Sequence, residues 1–107
     1  DIYRLLLERH NYNVVIRGDA HSGLAWLEQI LPDLILLDHM LPGGVSGIEM
    51  LHEVRQRPNG REVPIILVTA SSHLHPEDLA QYDISAFLRK PIPPSVLLQH
   101  IQATLPG

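Results

Sequence analysis

The stretch LILLDHMLPGG, residues 34–44, joins four aliphatic side chains to one carboxylate and a tight turn. An uninterrupted aliphatic run of this length is typical of a strand that is buried on both faces of a parallel sheet. Burying an ionised carboxylate beside such a run is costly unless another group compensates its charge. Asp38 is therefore a candidate functional residue, and its partners should come from the ends of neighbouring strands.

Composition limits what the chain can be. Its 107 residues fit one domain with a single core, and hydrophobic and charged fractions of 45% and 19% are typical of a globular protein. The net charge of -4 gives no basic footprint for nucleic acid, and no apolar run approaches the roughly 20 residues of a membrane span. The absence of cysteine excludes disulfides, catalytic thiols and Cys-ligated zinc, and suits a cytoplasmic location. We expect neither a nucleic-acid nor a membrane partner.

Hydrophobic periodicity alternates between helix and strand along the chain. It predicts helices at 1–10, 19–31, 46–56, 75–82 and 93–105, and strands at 12–18, 33–38, 63–69 and 84–90. Such alternation predicts an α/β fold with a parallel sheet, right-handed crossovers and helices on both faces.

Three polar residues stand at predicted strand ends, namely Asp38, Thr69 and Lys90. The carboxyl ends of parallel strands lie at one edge of a sheet, where ligands bind. An aspartate there can attack phosphorus, a lysine can offset the charge of the transferred group, and a threonine can donate a hydrogen bond to it. Lys90 is the only lysine among eight basic residues, which fits a need for a compact ammonium. The pattern alone leaves open a purely structural salt bridge between Asp38 and Lys90, capped by Thr69.

The segments PDLILLDHMLPGGVSGIEML (32–51), VPIILVTAS (63–71) and SAFLRKPIPPSVLLQHI (85–101) resemble the receiver domain of two-component response regulators. The resemblance covers essentially the whole chain, so residues 1–107 are interpreted as one receiver domain. It implies a flavodoxin-like, doubly wound parallel sheet with the family strand order 2-1-3-4-5.

The resemblance also implies roles for individual residues. Asp38 corresponds to the phosphoacceptor, Thr69 to the switch hydroxyl and Lys90 to the lysine that contacts the phosphoryl group. Phe87 falls where the family keeps an aromatic side chain that turns inward on activation. The Lys90–Pro91 peptide bond is similar to one that is usually cis in the family.

The implied activity is regulatory rather than metabolic. A sensor histidine kinase or a phosphotransfer domain would donate the phosphoryl group to Asp38, and slow autodephosphorylation would remove it. Mg²⁺ would bind Asp38 and the backbone carbonyl of Met40 and neutralise charge on the transferring group. Phosphorylation would change the surface of the last strands and helices, which could contact an output domain or form a homodimer.

The chain departs from the family at its start. Family members begin with a strand that ends in an acidic pair, which binds the magnesium ion, whereas this sequence opens inside the first helix. Asp1 stands too late and in a helical register to replace that pair. We therefore expect the domain to be N-terminally incomplete here, with the first strand and the acidic pair upstream of Asp1. The missing strand would lie between 12–18 and 33–38.

Other functions fit the sequence less well. A pseudo-receiver would keep the fold as an interaction module without phosphorylation. A phosphatase of the haloacid dehalogenase class needs a second aspartate in a DxD pattern, and Met40 stands at that position. The histidines of HLH, residues 73–75, are too few for a closed metal site. His39 is interpreted mainly as a partly buried imidazole, with a role in dephosphorylation as the lesser alternative.

Overall fold

A computed structural model describes residues 2–15, 17, 20–38, 47–70 and 75–105. The helices are α1 (Ile2–Arg9), α2 (Ala20–Leu27), α3 (Gly47–Gln56) and α4 (Pro94–Thr104). The strands are β1 (Ile35–Asp38), β2 (Ile65–Thr69) and β3 (Ala86–Arg89), and two 3₁₀ helices span Pro58–Gly60 and Pro76–Tyr82. Helices and strands alternate after α2, which confirms the predicted α/β class.

The described strands form one parallel sheet in the order β1-β2-β3. Leu37 pairs with Leu67 and Leu67 with Phe87, so the strands run nearly level. All five residues of β2 are buried because a strand flanks it on each side and helices cover both faces. This explains why its sequence, IILVT, reads as apolar throughout.

Side-chain alternation along β2 divides the core into two clusters. Ile65 and Leu67 point to one face of the sheet, and Ile66 and Val68 point to the other. The first cluster packs under α2 and α3, and the second under α1 and α4. The buried members of the first are Leu27, Leu37, Met50, Leu51, Val54, Val63, Ile65, Leu67 and Leu79. Those of the second are Leu7, Ile66, Val68, Ile92, Leu97 and Ile101. Helices on both faces make the sheet doubly wound, as predicted.

Helices α1 and α4 are neighbours although they lie at opposite ends of the sequence. Leu7 of α1 packs in the same cluster as Leu97 and Ile101 of α4. The hydroxyl of Tyr3 donates a hydrogen bond to the carbonyl of Ile92, at 2.8 Å. Apolar burial and a directional bond therefore fix α1 against the segment that leads into α4.

The predicted strand at 12–18 is wrong for the residues that the structure describes there. Residues 12–15 have no regular secondary structure, although Tyr12 and Val14 pack against the second cluster. A strand needs a hydrogen-bonded neighbour, and none of the described strands pairs with this segment. Val15 is 45% exposed, as expected for an unpaired segment.

Several predicted boundaries also shift. Helix α2 ends at Leu27 rather than at 31. A turn follows, in which the amides of Gln29 and Ile30 donate to the carbonyl of Trp26, and Pro32 disfavours a helical conformation at Leu31. The predicted helix at 75–82 is a 3₁₀ helix, Pro76–Tyr82, and β3 ends at Arg89, one residue before Lys90.

Candidate functional site

The carboxyl ends of the three strands meet at one edge of the sheet. Asp38, the last residue of β1, pairs with Val68, and Thr69, the last residue of β2, pairs with Arg89. Neighbouring strands are about 4.8 Å apart, so these backbone positions are close. The amide of Lys90 extends the ladder by donating to the carbonyl of Thr69, at 2.8 Å. The structure thus brings the backbones of the three strand-end residues together, while the side chain of Asp38 lies outside the description.

Thr69 is the one buried polar side chain among the described residues, with 0% exposure. Its position in the central strand explains this burial. Alternation along β2 places Thr69 on the same face as Leu67, under α3. A buried hydroxyl requires a hydrogen-bond partner, and no buried side-chain nitrogen or oxygen in the described part lacks one. Thr69 is therefore a buried, hydrogen-bonded hydroxyl at the edge of the sheet.

Lys90 is exposed and follows β3 directly. The peptide bond between Lys90 and Pro91 is cis, the isomer that the resemblance implies. A lysine carries its charge on a flexible stem, so its ammonium can follow an anion that arrives at the strand ends. This arrangement suits a group that neutralises charge rather than one that defines a rigid pocket.

Phe87 is half-buried in β3 and packs against the first core cluster. The guanidinium carbon of Arg89 lies 5.0 Å from the centroid of its ring, within the range of a cation–π interaction. Helical and strand periodicity do not predict this contact. The available signal was the spacing of two residues, which places Phe87 and Arg89 on one face of a strand.

Arg55 makes a second set of contacts that helical periodicity does not predict, because a charged residue of an amphipathic helix is expected to face solvent. Its guanidinium donates to the carbonyls of Tyr82 at 3.0 Å, Gly60 at 3.0 Å, Val63 at 2.7 Å and Asp83 at 3.2 Å. Burial lowers the pKa of Arg55, and the carboxylate of Asp83 opposes that shift. Arginine nonetheless stays protonated, so a permanent cation ties α3 to the segment that enters β3.

The residues present fit only part of a magnesium site. The predicted ligands, the Asp38 carboxylate and the Met40 carbonyl, are oxygen donors of the kind that Mg²⁺ prefers, and they would fill two positions of its octahedral shell. Within 2–15, 17, 20–38, 47–70 and 75–105, no three His, Cys, Asp or Glu side chains are grouped to bind a metal. Met40, His39, the turn at 42–44 and His73 lie outside the described residues.

The remaining described surface offers no stronger site. One shallow cleft lies between α3 and Tyr82, beside Ile48 and His52, and another lies near Leu31 and Pro58. Neither is lined by Thr69 or Lys90. In the part of the chain that the structure describes, every helix is too short or too polar to cross a bilayer.

Comparison with known proteins agrees with this geometry. The family model for the response regulator receiver domain matches residues 1–102. The chain is 32% identical to the phosphate regulon transcriptional regulatory protein PhoB of Escherichia coli (strain K12), over 94% of this chain and 44% of that protein. It is 38% identical to the response regulator ArlR of Staphylococcus saprophyticus, over the same shares. The chain thus spans less than half the length of these curated relatives.

Solved structures agree in fold. The receiver domain of sensor histidine kinase PA1611 from Pseudomonas aeruginosa PAO1, with a magnesium ion in its active site cleft, superposes with a TM-score of 0.81 at 28% identity. That alignment covers 95% of this chain and 84% of the other. A CheY-like receiver domain from Methanospirillum hungatei JF-1 gives 0.82 at 30% identity, over 96% and 81%. The strand-end geometry, the family model and these relatives agree: the chain belongs to the response regulator receiver domain family.

Proposed function

We propose that this chain serves two-component signal transduction in the cytoplasm by accepting a phosphoryl group on Asp38. The observation that carries the proposal is the level register of the three strands, which brings the backbones of Asp38, Thr69 and Lys90 to one edge of the sheet. The donor would be a phosphohistidine of a sensor histidine kinase or of a phosphotransfer domain. The membership of the chain in the receiver family supports this choice of donor.

In the proposed transfer, a carboxylate oxygen of Asp38 attacks phosphorus and the bond from phosphorus to the histidine nitrogen breaks. The electron pair of that bond returns to the imidazole, which takes up a proton. The Lys90 ammonium offsets the negative charge of the transferring group, and the Thr69 hydroxyl donates to one of its oxygens. Water later cleaves the acyl phosphate and regenerates Asp38. The chain is thus a regulatory phosphoacceptor rather than a metabolic enzyme.

Mg²⁺, when bound, supplies charge neutralisation between the carboxylates and the transferring group. Asp38 and the Met40 carbonyl would hold it together with the acidic pair expected upstream of Asp1. The receiver domain of PA1611, which holds magnesium in its active site cleft, supports a metal at the corresponding position.

The proposed output is a change in the surface formed by β2, β3 and α4. A phosphoryl group on Asp38 would draw the Thr69 hydroxyl towards it, and Phe87 would turn inward into the space that is released. Phe87 is half-buried and lies beside Leu67 in register, so its ring is next to the core that it would enter. The partner of this surface would be an output domain or a second copy of the chain.

A pseudo-receiver is the second candidate, since the described part of the chain holds no cluster of metal-binding side chains. In that case the same fold and surface would act without phosphorylation. The phosphatase alternative has less support because Met40 stands where a catalytic acid is needed.

The proposal is tested by incubating the intact protein with acetyl phosphate and Mg²⁺ and measuring its mass. We expect one added phosphoryl group in the wild type, none in Asp38→Asn, and the full adduct in Asp33→Asn. Asp33 is the matched control because it is exposed and precedes β1, at the opposite edge of the sheet. No adduct on the wild type would favour the pseudo-receiver, whereas steady turnover of p-nitrophenyl phosphate would favour the phosphatase.

A further inference from the structure

Arg89 connects two residues to which the proposed function gives switching roles. It pairs in register with Thr69 on β2, and its guanidinium covers the ring of Phe87 on β3, 5.0 Å from the centroid. Thr69 and Phe87 both lie on the sheet face of the first core cluster. The guanidinium is therefore on that same face, beside one residue and over the other.

The different burial of Arg89 and Phe87 shows on which side of the ring the guanidinium lies. Arg89 is exposed and Phe87 is half-buried, so the cation covers the ring from its solvent side. The ring face is electronegative and attracts the guanidinium, which is weakly hydrated and therefore stacks at low cost. An inward turn of Phe87 would withdraw the ring from the cation. The contact therefore favours the outward orientation of the ring.

A phosphoryl group at the carboxyl edge of the sheet would compete with the Phe87 ring for the Arg89 guanidinium. A phosphoryl group on Asp38 would introduce negative charge at the strand ends, across β2 from Arg89 and one row away from it in the register. Guanidinium groups bind phosphoryl oxygens with short, charge-assisted hydrogen bonds. The same anion that would draw Thr69 towards Asp38 would thus attract Arg89 away from the ring.

On the basis of the proposed function, we propose that Arg89 is a positioning residue that holds Phe87 outward and releases it when Asp38 is phosphorylated. Arg89 sets the resting ratio of outward to inward Phe87 and takes no part in the transfer itself. Loss of the cation should raise the inward population of the unphosphorylated protein by roughly two- to five-fold, as expected from an exposed cation–π contact.

The test uses fluorine NMR of the intact protein labelled with 4-fluorophenylalanine. The Phe87 resonance is identified by its absence from a Phe87→Leu variant. Wild type, Arg89→Gln, Arg89→Lys and Arg61→Gln are compared with and without beryllofluoride and Mg²⁺. Arg61 is the matched control because it is exposed and precedes β2, at the opposite edge of the sheet.

We expect the resting resonance of Arg89→Gln to move towards its beryllofluoride position, Arg89→Lys to restore part of the difference, and Arg61→Gln to match wild type. Acetyl phosphate should load all four proteins equally. A resting resonance of Arg89→Gln that equals wild type would overturn the proposal, and so would loss of loading in Arg89→Gln. Failure of the wild type to load with acetyl phosphate would refute the proposed function instead, while the resting spectra would still decide whether Arg89 holds the ring.

Discussion

Strands β2 and β3 are hydrogen-bonded neighbours, yet their burial differs. Every residue of β2 is buried, whereas Ala86, Phe87 and Leu88 of β3 are half-buried and Arg89 is exposed. The difference follows from position, because β2 has a strand on each side and β3 has one described neighbour.

The contrast shows that side chains in two neighbouring strands of one sheet have different room to move. Thr69 belongs to the buried strand, and Phe87 belongs to the strand with room beside it. Packed interiors resist displacement of side chains, so a rotating aromatic side chain is better placed in β3 than in β2.

The largest effect is expected from shortening one leucine in each of the two strands, on opposite faces of the sheet. Leu67→Ala should lower the free energy of unfolding by about 3 kcal/mol, because the side chain is fully buried and leaves a cavity. Leu88→Ala should cost about half as much, because Leu88 is only half-buried. Urea unfolding measures both. Equal losses would show that β3 is as tightly packed as β2.

An intermediate effect is expected from Arg55, which anchors the entry to β3. Arg55→Met should cost about 2 kcal/mol, because carbonyls of three segments lose a charged donor, and Arg55→Lys should recover part of that loss. Hydrogen exchange should accelerate more at β3 amides than at β2 amides. Uniform acceleration across both strands would contradict a local anchoring role.

The smallest effect is expected at Asp83, which ends the 3₁₀ helix before β3 with a φ of 53°. Asp83→Gly should change the free energy of unfolding by less than about 0.5 kcal/mol, since glycine adopts this conformation freely. Asp83→Val should cost about 1 kcal/mol, because a β-branched residue is strained there. Thermal unfolding can separate the pair. If valine were tolerated as well as glycine, the backbone before β3 would be more adaptable than the structure indicates.

Much of the fold was predictable because the spacing of apolar residues indicates which side chains are buried. The runs that became β1 and β2 are nearly uninterrupted aliphatics, and α3 buries Leu51 and Val54 as its spacing predicts. The strand predicted at 12–18 was wrong for residues 12–15, because an apolar pattern indicates a preference for strand, while a strand also needs a neighbour for its hydrogen bonds.

The site was predictable to the level of backbone positions. Strand ends that meet at one edge follow from parallel topology, which is why Asp38, Thr69 and Lys90 could be grouped from the sequence. The contacts of Arg55 were not predictable, because helical periodicity treats every charged residue as solvent-facing. The long arginine side chain can instead bend so that its guanidinium reaches backbone carbonyls. The contact between Arg89 and Phe87 depends on side-chain rotamers, which residue spacing does not determine.

The hydrogen bond from Tyr3 to Ile92 joins residues 89 positions apart. During synthesis, α1 leaves the ribosome long before the segment against which it packs. Its apolar face therefore stays unburied until that segment has been made. Contacts of such long range slow folding, because the chain must close a large loop before it gains the contact. The two halves of the domain are therefore expected to become stable together, as one cooperative unit, rather than in the order in which they are made.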